Sequence, residues 1–332
     1  MARSILFLTS SDTSSQSLRF RVDPLVSFGE KRGLNVRRVV IPDNFMNRLA
    51  FFRFLPMADI CVLHRELLAG RELACLRKKY PVLAYDFDCA VWTLPASELD
   101  RPGGMQRAAK RAERFGRQCS MADICIAGNI FLARKADEFS RQVSVLPTGV
   151  DTDVYLPRLA TDASRPLHVG WVGSAAAMDN VRAVLGRLQS LGGLIQFQVV
   201  SDQPYAGPCQ EYVFWEKREP ARAVGQLHGM DIGLLPLPGD EHSQGDCGLT
   251  LLQFMSCAMP PVVSSVGVCR EIIDHGIDGF LVDDPNEWEK YVMHLVDDPS
   301  LRGRIGEAGR EKLCSRYDVA SIAELLWEVL DV

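Results

Sequence analysis

Ser4 to Thr9 forms a short apolar run closed by a Ser/Thr-rich stretch at Ser10 to Ser17, a pattern that predicts a buried first strand followed by a turn. From near Leu18 the spacing becomes helical. The same rhythm continues, with strands predicted at Val36 to Ile41, Ile60 to His64, Val82 to Asp86, Ile124 to Ala127 and Val143 to Leu146. Helical spacing separates them near Glu72 to Lys79, Met105 to Ser120 and Phe131 to Phe139. Such alternation implies parallel strands joined by crossover helices. Leu156 to Pro166 then places two prolines among polar and small residues and marks a domain boundary. Beyond it the rhythm restarts at His168 to Val172, Ile195 to Val200, Ile232 to Leu235, Pro261 to Val263 and Phe280 to Val282, and Val319 to Leu330 reads as a closing amphipathic helix. The predicted fold class is α/β, with two Rossmann-like domains facing a cleft.

Gly245 to Val282 carries the most specific order of elements. Gly245 and Gly248 break the chain, Leu249 to Met255 have helical spacing, and Pro260 and Pro261 stop that helix. Val262 and Val263 read as a buried strand, and Gly267 opens a turn into a short helix at Arg270 to Asp274. Two helix starts therefore flank one strand end. The first amides of a helix have no carbonyl partner within it, so they can hold an anion, and in open α/β sheets phosphorylated ligands sit at such places.

Composition narrows the partners. A chain of 332 residues can build two cores, and its net charge of −5 lacks the basic excess of a nucleic-acid binder. The ten cysteines are scattered without a C-x-x-C pair, and Cys61 and Cys125 lie in apolar strand runs, so buried reduced thiols and a cytoplasmic setting are expected. The first apolar run is too short for a secretory signal, and no window reaches the roughly 18 apolar residues of a membrane span. A P-loop is disfavoured because no G-x-x-x-x-G-K-[ST] occurs.

The ordered segments resemble the donor-binding half of GT-B nucleotide-sugar glycosyltransferases, the retaining family 4 or group 1 enzymes. The resemblance is carried by Leu251 to Ala258, Pro260 to Val263, Val266 and Gly267, Glu271 to Ile273, and Gly279 to Val282. Val169 to Ser174, Asp231 to Pro236 and Asp297 to Arg310 extend it. Tyr85 to Trp92 (YDFDCAVW) and Leu146 to Tyr155 (LPTGVDTDVY) resemble a bacterial subgroup with YDFDDA and PTGVD. The resemblance implies an acceptor-side domain over residues 1–157, a donor domain over 158–316, and a helix at 317–332 packing back toward the first domain. It also implies a hexosyltransferase-like enzyme that needs neither cofactor nor metal and uses a nucleotide-diphosphate sugar as donor substrate. The acceptor would be a glycan, a lipid-linked compound or a small molecule, which is compatible with peripheral association at the inner membrane face. The competing reading is a non-catalytic GT-B protein that binds a sugar nucleotide or a partner enzyme. A third, sugar-nucleotide epimerisation, fits the ordered segments less well.

By that resemblance Gly248, Leu249 and Thr250 face the diphosphate, and Gln253 stands where the family has the second Glu of E-x7-E, a ribose ligand. Its amide oxygen can still accept. The first Glu falls on Gly245, and the subgroup's K-C-G-x-K turn reads Asp246 to Thr250 here, without lysine. Asp240, Glu241 and Asp246 could address sugar hydroxyls or form a solvated acidic loop. Gly173 and Ser174 follow the first strand of the second domain, where glycine admits a ligand to the backbone or simply turns the chain. Relatives often carry Arg and Lys just beyond; this chain has Ala175 to Met178. Trp215, Lys217 and Arg218, after a strand candidate, could meet base and phosphate, or be core and surface. In the first domain Asp86 and Asp88 stand past a buried strand, placed to bind an acceptor hydroxyl or act as base, with helix capping as the alternative. Arg19, with Ser14, Ser15 and Arg21, follows the first strand and could line the cleft or be solvated. His64, at a strand end, is read as a core or capping histidine or a cleft group.

Overall fold

The computed structural model describes residues 3–10, 17–43, 45–158 and 166–332. Contacts divide the chain into two compact units, one of Met1–Gly149, Asp240–Cys247 and Val319–Val332, the other of Val150–Gly239 and Gly248–Asp318.

The first unit is a six-stranded parallel sheet of β1 (Ser4–Thr9), β2 (Asn35–Val40), β3 (Ile60–His64), β4 (Val82–Phe87), β5 (Ile124–Ala127) and β6 (Val143–Val145), in the order β2-β1-β3-β4-β5-β6. The central strands β3 and β5 are buried at every position, as continuous apolar runs on both faces require. Helices cover both faces. Gly104–Met121 buries Phe115 and Cys119 on one side of the sheet, while the closing helix Val319–Val329 lays Ile322, Leu326 and Trp327 on Ile5, Phe7 and Val36 on the other. The stretch Asp240–Cys247 is fastened to this unit by polar contacts: the Trp92 indole N–H donates to Glu241 (2.7 Å) and the Asn129 amide to the Asp246 carbonyl (2.9 Å).

The second unit repeats the plan with β7 (Leu167–Val172), β8 (Ile195–Ser201), β9 (Val213–Lys217), β10 (Ile232–Leu235), β11 (Pro261–Ser264) and β12 (Phe280–Val282), in the order β12-β11-β10-β7-β8-β9. All its pairings are parallel. Helices at Met178–Arg187 and Glu287–Asp297 add to those that the spacing predicts, and Val181, Val184, Leu185, Trp288, Tyr291 and Leu295 turn into the core from them. Strand β9 contains Trp215 and Lys217, which the sequence reading placed after a strand. No helix among the described residues is long and apolar enough to cross a membrane.

Candidate functional site

Parallel register places His64 of β3 beside Asp86 of β4 at the carboxyl ends of both strands, where side chains leave the sheet. Asp86 is the hub of a buried network. Arg21 donates to it through Nη2 (2.6 Å to Oδ1) and Nε (3.0 Å to each oxygen), and His64 Nδ1 lies 2.6 Å from Oδ2. The remaining Arg21 nitrogen Nη1 donates to the Leu146 carbonyl at 2.9 Å, so a guanidinium only 2% exposed is held by three partner atoms on two residues. His64 Nε2 meets the Ser17 hydroxyl at 2.8 Å, Ser17 donates to Asp88 at 2.7 Å, and Arg65 closes the chain as the ion-pair partner of Asp88.

Burial alone would favour neutral carboxyls here. It is overcome: the Arg21 charge and the His64 bond hold Asp86 well below the usual carboxylate range, and the Arg65 charge lowers Asp88. Burial likewise opposes the charge on Arg21, but Asp86 raises its pKa above the ordinary value. The network is thus a set of fixed charges that satisfy one another.

Arg21, not Arg19, enters this network. Leu18–Val22 is a π-helical turn that points Leu18, Phe20, Arg21 and Val22 inward and leaves Arg19 exposed, its guanidinium 5.5 Å from the Phe20 ring centroid. Ser14 and Ser15 lie outside the described residues. The signal for Arg21 was its place behind the first strand, but only the turn geometry separates it from Arg19.

In the second unit Gly248 starts the Leu249–Ser256 helix with φ 71°, the left-handed region that favours glycine. A Cβ there would also lie 2.9 Å from Val268, so the Val268–Ile272 turn closes directly on this helix start. Gln253, one turn on, is 5% exposed and donates from Nε2 to the Tyr155 hydroxyl at 3.0 Å. Tyr155 is itself fixed through its carbonyl, which accepts from Ser256 (2.7 Å) and Arg310 (2.8 Å). Gly173 follows β7, the sheet neighbour of β10, and a Cβ on it would sit 2.1 Å from the Trp171 ring. After Ser174, the Ala175 amide donates to Asp202 at 2.7 Å.

Trp215, Lys217 and Arg218 stand apart from that pair, on edge strand β9 and just past it. The Trp215 indole packs on the core and donates to Ser201 at 3.0 Å, Lys217 is exposed, and Arg218 is half-buried. Asp240 caps the Glu241–Gln244 turn by accepting from the Ser243 amide at 2.8 Å, so Asp240 and Glu241 both have structural partners. At Gly245, a Cβ would lie 2.7 Å from both the Ala90 nitrogen and its Cβ. A carboxylate-bearing side chain has no room at that position without movement of backbone.

Residues 239–312 match the family described as Glycosyl transferases group 1. The resemblance to that group holds. A D-inositol 3-phosphate glycosyltransferase of Thermobispora bispora is 34% identical over 84 residues, 25% of this chain and 19% of that protein. An alpha-maltose-1-phosphate synthase of Mycolicibacterium smegmatis is 37% identical over 90 residues, 25% of this chain and 23% of that protein. The match thus spans about a fifth of the length of these curated relatives. Solved structures match over the whole chain. Sucrose-phosphate synthase from Thermosynechococcus elongatus superposes with a TM-score of 0.78 at 14% identity, covering 99% of this chain and 98% of that one. Anabaena HepE in complex with UDP-glucose gives 0.68 at 14% identity, covering 99% of each chain. The fold is GT-B.

Proposed function

We propose that this chain moves a sugar from a nucleoside diphosphate sugar to a hydroxyl of a glycan, lipid-linked or small-molecule acceptor, with retention at the anomeric carbon and without a metal requirement. The observation that carries this reading is the group 1 match over residues 239–312, which includes a helix start shaped by the left-handed Gly248. In this reading the amides of Leu249 and Thr250, with the Thr250 hydroxyl, meet the departing diphosphate, and the Gln253 amide oxygen accepts a ribose hydroxyl. Gly173 and Ser174 approach the phosphate or sugar through the backbone. Trp215, Lys217 and Arg218 serve the nucleotide end.

When the anomeric carbon–oxygen bond breaks, negative charge grows on the diphosphate oxygen, and preorganised amides stabilise it without reorganising. The acceptor hydroxyl forms the new bond and must lose a proton. Asp86 and Asp88 are poor bases, since their ion pairs hold their pKa values low, so the departing diphosphate oxygen takes that proton. The two carboxylates act instead as poles that orient His64, Ser17 and Arg65 on the acceptor side.

The test is release of nucleoside diphosphate from UDP-, GDP- and ADP-sugars with an acceptor panel. One donor should turn over, and Ser17→Ala, which cuts the link between His64 and Asp88, should lower kcat about tenfold or more while donor Kd stays unchanged. A specific observation favours a second reading, a non-catalytic sugar-nucleotide binder: no carboxylate fits at Gly245, and the loop after β7 is Ala175–Ala177. Donor binding without transfer or hydrolysis across the panel would select it.

A further inference from the structure

The Gly104–Met121 helix of the first unit carries Arg107, Lys110, Arg111 and Arg114 at helical spacings of three and four, so all four share one face. Phe115 and Cys119, on the face adjoining this stripe, lie in the core and fix the rotation of the helix. That stripe forms a wall of a cavity of about 570 Å³, completed by Arg65, Glu66 and Glu98 among others.

The charges in this cavity do not balance. Arg65 is committed to Asp88, Arg107 lies 3.9 Å from the Glu98 carboxylate, and Glu66 lies 3.8 Å from Arg48. Lys110, Arg111 and Arg114 have no carboxylate within ion-pair distance among the described residues. Arg111 and Arg114 are anchored by backbone carbonyls, those of Val91 (2.8 Å) and Leu67 (3.1 Å), which orient the guanidinium groups without neutralising them. Holding three cations on one partly enclosed wall costs electrostatic energy that an anion would relieve. Two oriented guanidinium forks and an ammonium suit a group with several oxygens and two negative charges better than they suit a single carboxylate.

We infer that this cavity binds a phosphoryl group, and that the acceptor of the transferred sugar is a phosphorylated compound held there by Lys110, Arg111 and Arg114. The acceptor role rests on the proposed transferase reading. Phosphate binding does not.

Calorimetric titration of glucose 6-phosphate, with glucose as the uncharged control, tests the inference on the full chain. Wild type is compared with Lys110→Gln and with Lys110→Gln/Arg111→Gln, each confirmed as folded by its thermal transition. Lys110 is exposed, so its replacement removes charge and not packing. Glucose 6-phosphate should bind and glucose should not, with affinity falling about fivefold in the single variant and about thirtyfold in the double variant, as loss of charge-assisted contacts implies. UDP, GDP and ADP titrated in parallel should show the same nucleotide preference and affinity in all three proteins. Binding of glucose 6-phosphate without binding of UDP, GDP or ADP would refute the transferase reading and leave the cavity assignment standing.

Flotation with phosphatidylglycerol/phosphatidylcholine vesicles separates a lipid-borne phosphate from a soluble one. Vesicle binding displaced by glucose 6-phosphate supports the same cavity with a lipid-linked ligand. Vesicle binding that glucose 6-phosphate does not displace, equal titration of glucose and glucose 6-phosphate in wild type, or unchanged affinity in the double variant would each overturn the inference.

Discussion

At the ends of β3 and β4 charge resides on side chains locked to one another, whereas at the start of the Leu249–Ser256 helix the groups on offer are backbone amides, a hydroxyl and a neutral Gln253. The first region stores its polarity in Arg21, Asp86, His64, Ser17, Asp88 and Arg65 and buries nearly all of it. The second carries no charged side chain at Gly248, Leu249, Thr250 or Gln253. A buried side-chain network is expensive to break because each remaining member becomes an uncompensated charge. A backbone site survives most substitutions but fails when the glycine that shapes it is lost. Mutation should therefore damage folding in the first region and ligand binding in the second.

The largest effect is expected for Asp86→Asn, which leaves the buried Arg21 without its counter-charge and should lower unfolding free energy by about 3–5 kcal/mol in denaturant titration. The same pair sets an acid limit. Because the folded-state pKa of Asp86 is depressed, its stabilisation is fully present above the unfolded value of about 3.9 and is lost as pH falls from there through the folded value. Denaturation curves from neutral to acid pH should show a shallower loss in Asp86→Asn than in wild type. A parallel loss in both would mean that other carboxylates govern acid unfolding.

Gly245→Glu comes next. Placing a carboxylate there forces a Cβ against the Ala90 backbone, so it should cost about 1–3 kcal/mol of stability and bring no gain in transfer rate. A stable, faster Gly245→Glu protein would show that the segment can move aside. Gly248→Ala should cost about 1–2 kcal/mol through its left-handed backbone and should also weaken nucleotide binding, because the helix start it shapes is the proposed phosphate site. The smallest effect belongs to Gln253→Ala, about 1 kcal/mol in nucleotide affinity for one lost hydrogen bond, read by calorimetry.

The fold was legible wherever apolar runs or helical spacing are long. Ile60 to His64, Ile124 to Ala127, Ile232 to Leu235 and Phe280 to Val282 are strands with the predicted bounds, because strands covered on both faces need continuous apolar sequence. The helix at Met178–Arg187 carried its own signal in Val181, Val184 and Leu185, spaced three and one apart. Other features depend on partners distant in sequence. Nothing local to Asp240–Cys247 tells that Trp92, Ala96 and Asn129 will bind it, or that Ala90 will press on Gly245. The choice of Arg21 over Arg19 depends on a π-helical turn, a winding that the side-chain pattern does not encode. The cationic stripe of Arg107, Lys110, Arg111 and Arg114 is visible as spacing, but the cavity it lines is a tertiary product.

The central claim is that the backbone at Gly248 to Thr250 holds the diphosphate of a nucleotide sugar. Calorimetric titration of UDP, GDP and ADP, each against its own nucleoside and repeated in Gly248→Ala, tests it most directly. The account predicts that at least one diphosphate binds ten or more times tighter than its nucleoside, and that Gly248→Ala removes most of that advantage (about 1.4 kcal/mol per tenfold). No binding by any of the three, or a preference that Gly248→Ala leaves intact, would contradict it.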